Sequence, residues 1–390
     1  MEPAAERYYF DWAATAPPLP VLAGDPGASE RAAPFGNPSS THLEGRRARA
    51  ALEEARSRCA AVLGVEAERL YFTSGGTEAN AIPIHAMTLR KNPGTLLFSG
   101  AEHPSVRENA LVLERLGLST GVIPTAPDGR VTGRELEAAL DKNSGTRFAA
   151  FMGVNNETGS VSGIDALTRL VRRREKAPIH LHSDLVQALG KLPLDLDSWD
   201  LDSAAFSAHK LGGPRGIGLL YLRRPLDALS TGGGQEGGIR PGTENTAGAL
   251  ALAECLERLA KPETVAAEHA AARKRWKRLI QALRSLEGGR CTLIPADRGD
   301  EDDRFSPWIL QAAFKGIPGE VMVRALDDAG FAVSTGSACS SRTRRRPVLE
   351  AMGVDPERSL EGIRISQGWT TGTGDIEKLI AGIGKILEAL

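Results

Sequence analysis

The sequence predicts an α/β protein in which a mostly parallel sheet is flanked by helices and a smaller α+β unit follows. Short apolar runs alternate with helical patterns between residues 43 and 222 of the 390-residue chain. The runs are apolar on both strand faces, which is typical of parallel strands covered by helices on both sides. Near residue 262 the alternation stops, and shorter elements in a different order follow.

The elements of the first part follow from apolar periodicity and from glycine positions. A helix is predicted over residues 43–63, because apolar side chains recur there at helical spacing and Gly64 can end it. Ligands of such sheets bind beyond the carboxyl ends of the strands. Further helices are predicted to begin near Thr77, Pro104, Gly133 and Gly163. The predicted strands are Leu70–Thr73, Thr95–Ser99, Arg147–Val154, Ile179–His182, Ser203–Phe206 and Ile217–Leu222.

The second part begins with a long basic amphipathic helix, Val265–Leu286, which we expect to connect the two units. The predicted domains are a large one of residues 16–262 and a small one formed by residues 1–15 and 263–390. The later elements are predicted at Trp308–Phe314, Pro318–Ala329, Phe331–Thr335, Ile363–Ser366 and Asp375–Leu390.

Composition excludes several classes of function. Hydrophobic residues make up 41% and charged residues 25%, as in ordinary soluble domains. The net charge of −1 gives no general attraction to nucleic acid or to an anionic membrane, and neither is an expected partner. The amino-terminal residues lack the pattern of a signal peptide. The four cysteines form no CxxC pair, which argues against a metal site or a disulfide framework and favours the cytoplasm.

Asp184 and Lys210 carry the strongest chemical prediction. Asp184 ends an apolar run, and Lys210 closes the segment Phe206–Lys210 before a glycine-rich turn. Pyridoxal 5′-phosphate (PLP) needs a lysine that binds its aldehyde and a carboxylate that keeps its pyridine nitrogen protonated. A single lysine or aspartate is usually a solvated surface charge, so the prediction depends on the residues around this pair.

The segment Thr73–Asn80 predicts a phosphate site, because its glycines follow a strand and open a helix. Backbone N–H groups at a helix N-terminus favour an anion. Gly75, Gly76 and Thr77 are the candidates, and Ser207 and His209 could bind the same phosphate. The alternative is an ordinary turn with Thr77 as the helix N-cap.

Two other strand ends carry polar side chains. His103 precedes a helix, where an imidazole can stack on a planar cofactor and move protons, although a structural histidine is the commoner case. Asn155 and Asn156 also follow a strand, and an amide there could bind a cofactor oxygen or a substrate carboxylate. The alternative for these two residues is a simple turn.

Cys339 lies among small polar residues and is followed by a basic run, Arg342–Arg346. Nearby cations favour the nucleophilic thiolate, and the same charges could dock an acidic acceptor protein. The alternatives are a fortuitous loop cysteine and a solvated charge run. Arg364 is a charge inside an apolar strand, which suits a carboxylate ligand or a structural ion pair.

With these residues the chain resembles the NifS/IscS cysteine desulfurases, which are class V aminotransferases of PLP fold type I. The Gly-Ser-Ala-Cys form around Cys339 resembles the first of their two groups. Trp12 departs from the family, which usually has Asn there, and predicts a different pocket rim; Leu185 stands where a small residue is usual. The matching blocks are Tyr9–Thr15, Asn37–His42, Thr73–Asn80, Glu102–Pro104, Val154–Gly159, His182–Lys191, Phe206–Gly218, Gly232–Asn245 and Ser334–Cys339.

The resemblance implies a seven-stranded type of sheet and a role for each matched residue. Catalysis would use Lys210, His103 and Cys339, with a persulfide on the cysteine. Substrate would be held by Asn37, Asn155 and Arg364. PLP would be held by Gly76, Thr77, His103, Asn155, Asp184, Gln187, Ser207, His209, Lys210 and, from the neighbouring subunit, Thr243.

The implied reaction converts L-cysteine to alanine and supplies sulfur for iron–sulfur clusters or tRNA thiolation. The implied partners are a sulfur-acceptor protein and a second copy of the chain in a homodimer. The alternatives are a related aminotransferase, a selenocysteine lyase, and a regulatory protein with a decayed site. Cys339 favours the desulfurase, since a transaminase needs no loop thiol.

Overall fold

The computed structural model describes residues 6–23, 33–174, 178–336 and 345–389. The predicted fold class is confirmed: a seven-stranded, mostly parallel sheet flanked by helices is accompanied by smaller sheets built from both ends of the chain. Within these ranges, none of the helices combines the length and apolar character of a membrane span.

The large sheet has the strand order β2-β8-β7-β6-β5-β3-β4. Strand β8 is antiparallel to both of its neighbours, and the remaining pairs, from β7 to β4, are parallel. The strands are β2 (Leu70–Thr73), β3 (Thr95–Ser99), β4 (Ser119–Ile123), β5 (Thr146–Ala150), β6 (His180–Asp184), β7 (Ser203–Ser207) and β8 (Gly218–Leu222).

Helices cover both faces of this sheet, which explains its apolar strands. Neighbouring residues of β3 point to opposite faces: Leu97 belongs to the largest apolar cluster, whereas Leu96 and Phe98 belong to a second one. The helices are α1 (Pro20–Ala23), α2 (Leu43–Leu63), α3 (Gly76–His85), α4 (Pro104–Arg115), α5 (Gly133–Lys142), α6 (Ile164–Arg174) and α7 (Thr246–Leu259).

The remaining elements form a separate apolar cluster around Trp276 and Phe314. A three-stranded antiparallel sheet has the order β12-β10-β9, and the amino-terminal β1 pairs in parallel with β11. The strands are β1 (Tyr8–Tyr9), β9 (Cys291–Ile294), β10 (Ile309–Phe314), β11 (Phe331–Ala332) and β12 (Gly362–Ser366). The helices are α8 (Pro262–Arg284), α9 (Gly319–Asp328), α10 (Pro347–Ala351), α11 (Pro356–Glu361) and α12 (Thr373–Ala389).

Several predicted boundaries need correction. The strand predicted to reach Val154 ends at Ala150, because Val154 already pairs with Val161 in a turn. The elements not predicted are strands β1, β4 and β9 and helices α1, α7, α10 and α11. Of these, β4 is a half-exposed edge strand whose sequence, Ser-Thr-Gly-Val-Ile, lacks an apolar run. The division into domains at residues 15 and 262 stays a prediction.

Candidate active site

A cavity of about 300 Å³ opens beyond the carboxyl ends of β5, β6 and β7. This is the edge at which ligands bind in open α/β sheets. Side chains from both ends of the chain complete its wall. The lining residues are Ala13, Ala14, Gly76, Thr77, Asn80, His103, Pro104, Ser105, Met152, Asn156, Glu157, Asp184, Val186, Gln187, Ser207, His209, Lys210, Gly336 and Arg364.

Asp184 is held rigidly at the end of β6. It is 3% exposed, its Oδ1 accepts from the Val186 N–H at 3.0 Å, and its Oδ2 accepts from Asn80 Nδ2 at 2.8 Å. Asn80 is itself fixed, because its Oδ1 accepts from His182 Nε2 at 2.9 Å. The carboxylate is therefore aimed before any ligand binds, as a partner for a cationic ring nitrogen should be.

Asn80 is a site residue that the sequence analysis missed. It lies one helical turn after Gly76, so both residues face the cavity from the first turns of α3. This i, i+4 spacing in a segment already assigned to phosphate binding is the pattern that could have indicated it.

Lys210 lies across the cavity, in a short 3₁₀ turn directly after β7. Its Nζ donates to the carbonyl oxygens of Ala13 and Ala14, both at 2.6 Å. Burial, followed by the Arg364 charge, lowers the pKa of Lys210 to about 8, whereas Asp11 and Asp184 act in the opposite direction. A substantial neutral fraction near physiological pH is what a nucleophilic amine requires.

The phosphate candidates come together at the N-terminus of α3. Gly76, Thr77, Ser207 and His209 all line the cavity. The alternative of Thr77 as N-cap is wrong, because the cap is Gly75 with a φ of 152°. A Cβ on Gly76 would lie 2.8 Å from Val186 Cγ2, so a side chain does not fit there. Burial lowers the pKa of His209 to about 4, which keeps this histidine neutral.

His103 is the N-cap of α4 and faces the same cavity. Its Nδ1 accepts from the Ser105 N–H at 3.1 Å and lies 2.8 Å from Ser105 Oγ. Burial lowers the pKa of His103, and Asp184 acts against that shift. In the neutral ring the proton is consequently on Nε2, so one nitrogen stays available for proton exchange.

The structure corrects the assignment of the two asparagines. Asn155 does not line the cavity and is 1% exposed. Its Oδ1 is turned into its own loop, where it accepts from Glu157 N, Thr158 N and Thr158 Oγ1. Its Nδ2 donates to the Ala101 carbonyl at 2.9 Å. Asn156 lines the cavity instead, and its Oδ1 is buried with no partner among the described residues. The loop thus uses Asn155 to hold its own shape and presents Asn156 to the cavity.

Arg364 forms the structural ion pair that was one of its two predicted possibilities. Its Nη2 donates to Asp11 Oδ1 at 2.7 Å, which is the structural ion pair, and its Nη1 donates to the Asn156 carbonyl at 2.9 Å. It also lines the cavity, and its Nε is buried without a partner in the described part of the chain. A held guanidinium with an open donor suits a carboxylate ligand.

Gln187 lines the cavity between two other site residues. Its Nε2 donates to the Ala13 carbonyl at 2.9 Å, and its Oε1 accepts from Lys191 Nζ at 2.9 Å. The Ala13 carbonyl is one of the two acceptors of Lys210. The amide therefore has a defined orientation beside the lysine.

Asn37 and Thr243 are not brought into the cavity. Both are exposed, and Asn37 Oδ1 accepts from the Ser39 N–H at 2.9 Å. Their sequence neighbours Pro38 and Glu244 line one surface cleft of about 470 Å³. The two residues thus lie beside a common cleft, outside the cavity formed by this chain.

The cysteine segment and most of the basic run after it fall in a part of the chain that the structure does not describe. Cys339 lies outside the described residues, as do Arg342 and Arg344. Arg346 is buried and pairs with Glu157 at 3.2 Å, so the prediction of a basic surface run does not hold for it.

Trp12 is buried and absent from the cavity lining, and its ring lies edge-on at 4.9 Å from that of Trp369. Leu185 is likewise part of the largest apolar cluster.

Known proteins are similar to this chain in sequence and in fold. The family model described as "Aminotransferase class-V" matches residues 8–379. A protein of Lactobacillus delbrueckii subsp. bulgaricus, named NifS/IcsS protein homolog, is 36% identical over 91% of this chain and 90% of its own length. The cysteine desulfurase IscS of Dictyoglomus turgidum is 33% identical over 98% of this chain and 95% of its own.

A solved structure described as a NifS-like protein superposes with a TM-score of 0.88 at 32% identity, covering 98% of this chain and 100% of that one. Sequence and fold therefore agree over nearly the whole length. The chain belongs to the aminotransferase class-V family, as its resemblance predicted, and its relatives there are of the NifS/IscS cysteine desulfurase type.

Proposed function

We propose that this protein is a PLP-dependent cysteine desulfurase that converts L-cysteine to alanine and passes the sulfur to an acceptor. One observation carries the proposal: a buried carboxylate, Asp184, and a half-buried amine with a lowered pKa, Lys210, line a single cavity. The names of the relatives support the choice of substrate.

The cavity residues fit this cofactor. Asp184 is a fixed anionic partner for the pyridine nitrogen, and the glycine-opened N-terminus of α3 with Ser207 and His209 suits the phosphate. Gln187 would donate to the ring hydroxyl, and His103 would lie against the ring. When bound, PLP acts as an electron sink for the carbon that loses its proton.

The side chains of this chain divide the remaining work. Lys210 would bind the cofactor covalently and move protons at the substrate carbon, with His103 as the second proton carrier. Arg364 would hold the substrate carboxylate, and Asn156 takes over the role predicted for Asn155. Cys339 would accept the substrate sulfur as a persulfide, after which the three-carbon product leaves as alanine.

A homodimer is part of the proposal. Thr243 is exposed and absent from the cavity lining of its own subunit, which fits a residue that serves the partner's phosphate site. Phe35, three residues before Pro38 of the cleft, is 91% exposed, and a partner subunit seated there would cover this apolar side chain. An acceptor protein for iron–sulfur assembly or tRNA thiolation and a cytoplasmic location stay predictions.

The test is an assay of alanine and sulfide after incubation with L-cysteine, PLP and a reducing thiol. We expect stoichiometric alanine and sulfide from the wild type and essentially none from Lys210→Ala, with the exposed Lys315→Ala as matched control.

Cys339→Ser should bind the cofactor and substrate but release no sulfide. An active Lys210→Ala variant would contradict the proposal. Equal activity of Cys339→Ser with cysteine and with selenocysteine would point to a lyase instead.

A further inference from the structure

Lys191 is a buried amine that the proposed reaction does not use. It is 2% exposed, and its Nζ donates to Gln187 Oε1 at 2.9 Å. The turn after β6 brings the two side chains together: Leu189 N donates to Leu185 O, and Leu192 N to Ala188 O, as in a helix. Residues four positions apart then share one face.

A contribution to protein stability does not explain why a lysine is buried at this position. Within the described ranges no carboxylate lies within ion-pair distance of its Nζ, and its charged neighbours are the cations Lys210 and Arg364. Burial and these two charges lower the pKa of Lys191 to about 7. A buried amine without a carboxylate partner costs free energy that an apolar side chain of similar length would not.

The amide of Gln187 explains what the lysine does. A glutamine amide can be turned either way round, but only its oxygen can accept from the Lys191 ammonium. With Oε1 held by Lys191, Nε2 must face the Ala13 carbonyl, which lines the cavity and also accepts from Lys210. In the opposite orientation Gln187 Oε1 would face the Ala13 carbonyl oxygen, and Gln187 Nε2 would face Lys191 Nζ.

We propose that Lys191 is a positioning residue that holds the Gln187 Nε2 donor toward the cavity, ready for the ring oxygen of the cofactor. The inference deepens the proposed function and rests on it. The ligand atom is a phenolic oxygen, which is best bound by a donor fixed in advance.

A double-mutant cycle on the apoprotein tests the proposal. The variants are Lys191→Met, Gln187→Ala and the double variant, and the measurements are the PLP dissociation constant and the absorption band of bound PLP. Lys191→Met should weaken PLP binding by about tenfold and shift the band, as expected when one buried hydrogen bond is lost. The double variant should bind no more weakly than Gln187→Ala, while Lys315→Met should be unchanged.

The outcomes separate the two levels of the proposal. A wild-type apoprotein that fails to bind PLP overturns both. A wild type that binds PLP, with single effects that add in the double variant, overturns the role of Lys191 alone.

If Lys191→Met does not fold, Lys191→Gln serves instead, because its neutral amide can face Gln187 with either its oxygen or its nitrogen and no longer fixes the orientation of that side chain. It should weaken PLP binding and shift the band in the same direction as expected for Lys191→Met, and wild-type binding would contradict the inference.

Discussion

Replacing Glu102 with glutamine should make the protein less sensitive to alkaline pH. Glu102 is 3% exposed, and its Oε1 accepts from Ser99 Oγ and Met152 N, both at 2.7 Å. Its Oε2 is buried without a partner in the described structure. Glutamine has nearly the same shape, keeps the accepting oxygen and cannot ionise, so Glu102→Gln mimics the protonated side chain.

The size of the effect follows from the pKa. Burial, with the nearby Asp184 charge, raises the pKa of Glu102 from 4.5 to about 8 against the two hydrogen bonds. The folded protein therefore keeps this proton over a pH range in which the unfolded chain has lost it. Stability from this group is complete below pH 4.5 and is lost as the pH rises through 8, at about 1.4 kcal/mol per pH unit. The total loss is on the order of 5 kcal/mol.

The assay is urea unfolding of wild-type and Glu102→Gln apoprotein at a series of pH values from about 5 to 9. The free-energy difference in favour of the variant should grow steadily with pH and level off above 8. Glu135→Gln is a matched control, because hydrogen bonds from Thr132 and Arg134 lower the pKa of that carboxyl and place its titration below this range. A difference between Glu102→Gln and wild type that stays constant from pH 5 to 9 would refute the reasoning.

Three further results are expected. Asn155→Ala should cost about 1–3 kcal/mol of stability because it leaves several loop donors unpaired, whereas Asn156→Ala should lower activity with little change in melting temperature. Arg364→Lys should raise the KM for cysteine by about tenfold or more with a smaller effect on kcat, since lysine lacks the planar fork. In the apoprotein, amine labelling of Lys210 followed by mass spectrometry should be half-maximal near pH 8, because burial lowers the pKa of this amine from its usual 10.5.

The sequence was most informative where chemistry restricts residue type. Asp184, Lys210 and Gly76 were candidates from the sequence and line one cavity, because strand ends of a parallel sheet meet at one edge. Adjacent asparagines could not be distinguished, since only the turn geometry decides that Asn155 bonds the loop and Asn156 faces the cavity.

Other parts of the site depend on long-range folding. Nothing local in the sequence indicates that the Ala13 and Ala14 carbonyls accept from Lys210, or that Lys191 orients Gln187. The edge strand β4 was missed for a related reason: its pairing with β3 comes from the sheet, while its own residues are polar and half-exposed.

The amino-terminal segment has a consequence for synthesis of the chain. The ribosome synthesises the hydrogen-bond partners of this segment long after the segment itself. The Lys210 bonds to Ala13 and Ala14 span 197 and 196 residues, and Ser366 Oγ accepts from Ala13 N across 353 residues. At about 5–20 residues per second, the ribosome needs roughly 20–70 s to cover the longest of these intervals. A product truncated before β11 and β12 contains every strand of the large sheet, but the wall that holds the Lys210 amine lacks its anchor.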